Sequence, residues 1–425
     1  MKQFSAEKLH NILTRLTHRR HFLIAYSGGL DSHVLLHSLA QLQAIHPEIS
    51  LGAIHLHHGL NREADDWVKH CQKVCQKLNI DYQSQALHLE ESTGESPENL
   101  ARKARYAALG CALKEGDVLL TGHHQNDQAE TLLLQLLRGA GPKGMAAMAE
   151  CSNFAGTQFL RPLLNFTRGS LEAYAKTHQL QWIDDSSNQD LKFDRNFIRH
   201  QVLPLIQQRW PSAVTTLTRS AKHCAEAVIL LAQTADSELL NLVGSAPDTL
   251  SVQGLNLSNP RKQKWVIRRW FEHLHLPTPS EAKLMQIINT VLPCRADALP
   301  KVHWQGVEIR RYRDDLYAFA PLSHLDVSAC ITWDLKEDLQ LPDTLGILTP
   351  TLCKQWPLYK GGPVTIRFRQ GGEYCRPMGS PRRRSLKNLF QEWAIPPWQR
   401  QRTPLIYEEE KIIAIPNYCV CTDEL

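Results

Sequence analysis

No apolar run in the 425 residues approaches the ~18 that a membrane-spanning helix requires, so a helical membrane protein is not expected. The opening segment, MKQFSAEKLHNILTRLTHRR, lacks the apolar centre of a secretory signal. Its basic tilt reads as an ordinary first helix rather than a transit peptide, because a buried-type strand begins by Phe22. A cytoplasmic location is expected. C-x-x-C is absent among eleven scattered cysteines, whose only close pairs are Cys71/Cys75 and Cys419/Cys421. This argues against a zinc or iron–sulfur centre, and buried reduced thiols are expected instead. Internal repeats and low-complexity tracts are missing as well. With 43% hydrophobic and 21% charged residues, the chain has the composition of a folded globular protein.

What is present is unevenly distributed. Net charge is only +5, but nine Lys/Arg stand against two acidic residues between Pro363 and Arg402. That module carries +7 and leaves −2 for the rest, which suits a polyanion-binding surface confined to one part of the chain.

Periodicity divides the chain further. Apolar stretches at Phe22–Tyr26, Leu51–Leu56, Ile80–Leu89 and Val118–Thr121 read as strands, separated by helix patterns such as Trp67, Val68, Cys71, Val74, Cys75 and Leu78. Ser96-Pro97 predicts an N-cap and first helical residue ahead of Leu100, Ala101, Ala104 and Ala108. Alternating strands and helices imply an α/β, Rossmann-like parallel sheet. Patterns over Ala213–Leu242, Arg261–Leu274 and Glu281–Val291 predict a mainly helical region, and a small α+β C-terminal domain closes the chain. The expected boundaries are 1–212 for the catalytic domain, 213–325 for the helical domain, 326–356 for a linker or irregular strands, and 357–425 for the basic module.

Ser27-Gly28-Gly29-Leu30-Asp31-Ser32 follows the first strand and opens a helix through Val34, Leu35, Leu36 and Leu39. A glycine turn between a strand and a helix N-terminus converges free backbone N–H groups on an anion, and the two serine hydroxyls add donors. The turn lacks the lysine of a Walker motif and the spacing of a dinucleotide fingerprint. His55-Leu56-His57-His58-Gly59-Leu60 closes the second strand, and His123-His124-Gln125-Asn126-Asp127-Gln128-Ala129-Glu130-Thr131 closes the fourth. Both strand ends face the same crevice in an open parallel sheet. The H-x-H-H cluster reads as polar contacts rather than metal ligands, having no partnering cysteine. Asp127 and Glu130, three apart, share a helix face.

SGGLDS resembles the signature of PP-loop ATP pyrophosphatases. The later motifs, in order, resemble the tRNA(Ile)-lysidine synthase family over nearly the whole chain. They are Arg102-Lys103-Ala104-Arg105-Tyr106, Arg138-Gly139-Ala140-Gly141-Pro142, Arg161-Pro162-Leu163-Leu164, Trp182-Ile183-Asp184-Asp185-Ser186-Ser187-Asn188, Asp194-Arg195-Asn196-Phe197-Ile198-Arg199, and the C-terminal Arg383-Arg384-Ser385-Leu386-Lys387, Phe390-Gln391-Glu392, Pro396-Pro397-Trp398 and Thr403-Pro404-Leu405-Ile406-Tyr407. Asn126 departs from the family, which commonly has a second aspartate there.

The resemblance implies an enzyme that uses ATP and Mg2+ to join L-lysine to carbon 2 of the wobble cytidine of tRNA(Ile) with a CAU anticodon. The reaction runs through an adenylated base and releases AMP and pyrophosphate. It further implies that Ser27, Gly28, Gly29, Leu30, Asp31, Ser32 and His55 bind ATP, and that Asp31 and Asp127 hold the metal. Asp31, Asp127, Glu130 and His124 would be catalytic, with Glu130 or His124 taking the proton of the attacking amine. Arg102, Arg105, Arg195, Arg382, Arg383, Arg384 and Lys387 would grip tRNA, and a homodimer is left open. Three rivals share parts of this pattern. A tRNA sulfurtransferase needs paired cysteines near the site, a small-molecule ligase has no use for the +7 module, and a non-catalytic RNA binder has none for the carboxylates.

Overall fold

The computed structural model describes residues 3–57, 64–87, 97–295, 298–350 and 356–422, and divides into two units, 1–233 and 234–425. His58, Gly59, Leu60 and Ser96 lie outside the described residues.

In the first unit, α1 (Ala6–Leu16) precedes β1 (His21–Ala25), and α2 (Leu30–Ile45) leads to β2 (Ser50–His57). There follow α3 (Ala64–Lys77), β3 (Asp81–Ala86), α4 (Pro97–Ala112), β4 (Val118–Leu120), α5 (Gln125–Leu137), the short α6 (Pro142–Met145), β5 (Cys151–Phe154) and β6 (Thr157–Leu160). The sheet order is β3-β2-β1-β4-β6-β5, with every neighbouring pair parallel except β5 with β6. The period-2 alternation of β1 builds both faces of this layer. Phe22 and Ile24 join Leu35, Leu36, Leu39 and Leu9 on one side, while Leu23 joins Ile54, Leu109, Leu119 and Phe159 on the other. Helix α2 is buried nearly all round, as an apolar helix in the middle of a core must be. Each of its fully buried leucines contributes about 1.5–3 kcal/mol of transfer free energy.

The chain crosses from β3, beyond β2, back to β4 on the far side of β1, so the C-terminal ends of β1 and β4 flank a topological switch point. The four expected strands are present within a few residues. The β5/β6 hairpin was not expected. Its two-residue turn is Ala155-Gly156, both at positive φ (47° and 76°), so the geometry of an Asn-Gly turn is reached without the sequence that announces one. After β6 come α7 (Arg168–Thr177), α8 (Asp194–Phe197), a π-helical turn over Ile198–Val202, α9 (Leu203–Arg209) and α10 (Ala213–Asn241), a 29-residue helix.

In the second unit, α11 (Val252–Leu257) was not expected, whereas α12 (Pro260–His273) and α13 (Glu281–Gln286), continued by a π-helical turn over Ile287–Val291, supply the expected helices. They pack Val266, Ile267, Phe271, Leu284 and Ile287 against Val302, Val307, Ile309 and Leu316 of a four-stranded sheet that the periodicity does not announce. Its strands β7 (Leu250–Ser251), β8 (Lys301–Trp304), β9 (Val307–Tyr312) and β10 (Asp315–Phe319) run in the order β7-β10-β9-β8. They are short, and Arg310 and Arg311 interrupt their alternation.

A second antiparallel sheet, β11-β14-β17-β18-β19, follows. Its components in chain order are β11 (Cys330–Trp333), the hairpin β12 (Leu339–Gln340) and β13 (Ile347–Leu348), then β14 (Val364–Phe368), the hairpin β15 (Tyr374–Cys375) and β16 (Arg384–Ser385), α14 (Leu386–Glu392), α15 (Pro397–Arg400), β17 (Pro404–Glu408), β18 (Lys411–Ile415) and β19 (Cys419–Val420). Within the segment expected to be a linker or irregular strands, β11 pairs with β14, placing Ile331 opposite Ile366. Prolines and short strands hide that pairing in the sequence.

Candidate functional site

The turn after β1 is built as an anion cradle. Gly28 sits at φ +82°, and a Cβ there would lie 2.7 Å from Ile183 Cδ1 and 2.9 Å from Cys71 Sγ, so only glycine fits. The Gly28 carbonyl accepts from the Ile183 N–H at 3.0 Å, tying the turn to the segment before Asp184. Ser32 Oγ lies 3.0 Å from Ser27 Oγ and donates to the Gly29 carbonyl, while Ser27 Oγ accepts from the Gly29 N–H. The serine hydroxyls thus shape the turn. Gly29 caps α2 without a side-chain partner, which leaves the first N–H groups of that helix for a ligand. Gly122, beyond β4, approaches so closely that a Cβ would lie 2.9 Å from Ser32 N. Sequence reasoning passed over this glycine, which no motif marks.

A cleft of about 410 Å³ opens at this turn, lined by Ser27, Gly29, Leu30, Asp31, Ser32, Arg168, Ile183, Asp184, Asp185, Asn188, Gln189, Arg199 and His200. Asp31 brings a buried Oδ1 with no hydrogen-bond partner. Its Oδ2 lies 3.4 Å from Nε2 of His124, which is 2% exposed. His124 caps α5: its Nδ1 accepts from the Asp127 N–H at 3.3 Å, and Asp127 Oδ2 accepts from the His124 backbone N–H at 2.9 Å. Burial opposes protonation of this imidazole, but the carboxylates of Asp127, Asp31 and Glu130 outweigh it and hold its pKa above the ordinary histidine value.

Asp127 and Glu130 meet two arginines. Arg195 donates from Nε to Glu130 Oε2 at 2.9 Å and from Nη2 to Asp127 Oδ1 at 2.8 Å. Arg199 donates from Nε to Glu130 Oε1 at 2.7 Å, and from Nη2 to Glu130 Oε2 at 2.8 Å and Asp127 Oδ1 at 3.1 Å. Two carboxylates and two guanidiniums form one charge-balanced cluster whose acidic side is buried. Arg199 stands on the π-helical turn, and such turns concentrate at functional sites. Asn196, between the arginines, donates to the Ser187 and Asp190 carbonyls and so fixes the loop that lines the cleft.

The fit to Mg2+ can be read from the donor atoms. A hard cation that keeps its waters needs a carboxylate oxygen not already committed to a donor, and Asp31, which lines the cleft and whose Oδ1 has no hydrogen-bond partner, meets that need. Asp127 stands differently: Oδ1 accepts from both guanidiniums and Oδ2 from the His124 N–H, and the His124 ring contacts Asp31 and Asp127 through opposite nitrogens.

The remaining expected residues divide. His55 is buried beside the turn rather than in the cleft lining, with Nδ1 3.0 Å from the Tyr26 carbonyl and Nε2 unpartnered. Arg195, expected to grip tRNA, is committed to the carboxylates. Arg102 and Arg105 are exposed on α4, the former 5.6 Å from the Tyr106 ring. Arg382, Arg383 and Lys387 are exposed, whereas Arg384 pairs with Glu392. Asn126, the departure from the family pattern, serves the local structure, since its Oδ1 accepts from the Arg168 N–H at 3.1 Å, at the start of α7. Arg199, Arg168 and Asn188 belong to the site but do not stand out in the sequence as site residues. For Arg199 the available signal is its position four residues after Arg195.

The family models matched are the PP-loop domain over residues 1–206, the TilS substrate binding domain over 250–317 and the TilS substrate C-terminal domain over 364–424. The chain is 44% identical over 422 residues to a tRNA(Ile)-lysidine synthase from Coxiella burnetii, covering 98% of this chain and 93% of that one. It is 41% identical to the tRNA(Ile)-lysidine synthases of Serratia proteamaculans (93% of this chain, 90% of that one) and Yersinia pseudotuberculosis (96% and 93%). With the bare helix N-terminus, the Asp31 oxygen and the flanking arginines in one cleft, and with relatives of this identity along nearly the full length, the chain belongs to the tRNA(Ile)-lysidine synthase family.

Proposed function

We propose that this chain converts the wobble cytidine of tRNA(Ile), in a CAU anticodon, to lysidine with L-lysine and ATP in the cytoplasm, through a base carrying AMP on its C2 oxygen. The observation that carries the reading is the convergence on one cleft of the free N–H groups of α2, the unpartnered Asp31 oxygen and the Arg199 guanidinium.

The chemistry follows in two steps. The C2 oxygen of the cytidine attacks the α-phosphorus of ATP, and the α–β bridging bond breaks to release pyrophosphate, whose charge the helix N-terminus and the Gly29 turn receive. Mg2+, held through Asp31 Oδ1, would neutralise charge growing on the phosphates. The lysine ε-amine then adds to C2, loses a proton, and AMP leaves with the oxygen. Amine deprotonation is required because the reference pKa is about 10.4. Neither acceptor expected from the resemblance offers a free atom to the cleft. Glu130 has both oxygens on guanidiniums and His124 has both nitrogens on carboxylate-bearing neighbours, so we assign both to positioning. Presenting an anticodon base to the cleft costs little compared with opening a duplex. Arg102, Arg105 and the run at Arg382, Arg383 and Lys387 are assigned to tRNA phosphates.

The test is incubation of the full chain with ATP, labelled lysine and unmodified tRNA(Ile). Label should enter RNA with AMP and pyrophosphate formed in equal amounts. Asp31→Asn should lower pyrophosphate release on the order of 10² or more while the melting temperature holds. Pyrophosphate release without lysine in the RNA would overturn the assignment of the second substrate.

A further inference from the structure

Away from the cleft, the C-terminal sheet gathers three cysteines that nothing in the proposed reaction uses. Cys419 of β19 and Cys421, the bridge residue just past it, are separated by one residue of extended chain and so face one side, and Cys375 of β15 meets them there. Their three sulfurs all lie within 4.8 Å of one another. Cys375 and Cys421 are 3% and 1% exposed, Cys419 is half-buried, and all three are free thiols. Leu386, Phe390, Leu405, Ile412 and Ile415 belong to the same hydrophobic cluster as Cys375 and Cys421, and Cys419 packs against it.

We propose that Cys375, Cys419 and Cys421 form a three-thiolate site for a divalent thiophilic ion, zinc, with one coordination position open to water.

Zinc–sulfur bonds of about 2.3 Å place tetrahedral sulfurs about 3.8 Å apart, so the cluster needs to contract by no more than ~1 Å. Side-chain rotation of residues on facing strands supplies that. Three thiolates on a dication leave one negative charge, and the Arg383 guanidinium lies near enough to act on Cys375. A monovalent ion would leave two. The site lacks C-x-x-C spacing: residues separated by one along an extended segment point the same way, and the third comes from 44 residues earlier in the chain by strand pairing.

The consequence is local bracing. Cys375 pairs directly with Arg384 across the β15/β16 hairpin, and Pro377 bridges to Cys421. An ion there would staple the terminal strand to the hairpin that displays the basic run. That this run binds tRNA rests on the proposed function, but metal content does not, so the two ideas fail separately.

The test uses the reduced full chain, stripped with EDTA and titrated with Zn2+. We expect one equivalent per chain, a sulfur-to-metal charge-transfer band on Co2+ substitution, and a melting transition raised by the ion. In the loaded wild type, alkylation with mass mapping should spare Cys375, Cys419 and Cys421 while exposed Cys111, Cys151 and Cys330 react. Cys419→Ser, at the half-buried position least able to disturb the fold, should lose the charge-transfer band and weaken binding by at least tenfold. Binding below one-tenth equivalent, a Cys419→Ser variant with undiminished binding, or alkylation of the three thiols as fast as Cys111 would each overturn the site.

Discussion

Substituting Glu130 by glutamine separates anchoring from proton transfer. Glu130 is 1% exposed and accepts three charge-assisted hydrogen bonds, at 2.7, 2.8 and 2.9 Å. Each such bond is worth about 1.5–3 kcal/mol, and removing one partner of a buried pair costs about 3–5 kcal/mol because the other charge is stranded. Here the stranded charges are partly hydrated, since the Arg195 and Arg199 side chains are 32% and 22% exposed. The amide also retains one acceptor oxygen. A loss of about 2–4 kcal/mol is therefore expected for the first unit, which at about 2–4 °C per kcal/mol lowers its melting temperature by ~4–16 °C. Arg199 lines the cleft, so its displacement should slow pyrophosphate release and lysine transfer together, by on the order of 10-fold or more. Calorimetry and single-turnover assays of each step, run well below the melting temperature, measure both effects. Accumulation of adenylated tRNA at a wild-type rate of pyrophosphate release, with unchanged melting, would refute the anchoring argument and return Glu130 to the role of base.

Gly28→Ala places a Cβ against Ile183 and Cys71 on a backbone at φ +82°, so a loss of about 1–3 kcal/mol and a raised KM for ATP are expected from melting and kinetics. Neutralising Arg382, Arg383, Arg384 and Lys387 together should weaken tRNA binding and flatten its log–log salt slope by roughly 0.7–0.9 per lost contact, with ATP binding intact. Because Arg384 already pairs with Glu392, the slope should change by about three contacts rather than four; an unchanged slope would move the grip elsewhere. Glu308 is buried, which by itself would raise its pKa, but Lys301 and Arg310 overcome this and lower it. A depressed carboxylate stabilises above its unfolded pKa of about 4.3 and loses that contribution as pH falls further, so acid unfolding of the second unit should shift to higher pH in Glu308→Gln, whose melting at pH 7 should already be lower.

The turn after β1 and the start of α5 were legible because their geometry is local: a glycine turn, a capping segment and an incoming helix each occupy a few consecutive residues. What escaped was made by long-range contact. Arg195 was expected to grip tRNA, whereas α8 brings it onto Asp127 and Glu130. Gly122 matters only because α2 passes beside it. The unexpected strands were short, were joined by turns without Asn-Gly, or carried arginines that broke the alternation. Cysteine spacing did not reveal that Cys375 lies beside Cys419 and Cys421, because it comes from another strand.

The position of β1 also bears on how the molecule is made. Its neighbours in the sheet are β2, about thirty residues on, and β4, roughly a hundred residues on, while the arginines that neutralise Asp127 and Glu130 come later still. A chain emerging from the ribosome pairs β1 with β2 long before its other edge is covered, and then carries two uncompensated carboxylates until residue 199 is out. The first unit therefore cannot reach its stable form piecemeal, and its exposed central strand is the stretch that a nascent-chain chaperone has most reason to hold.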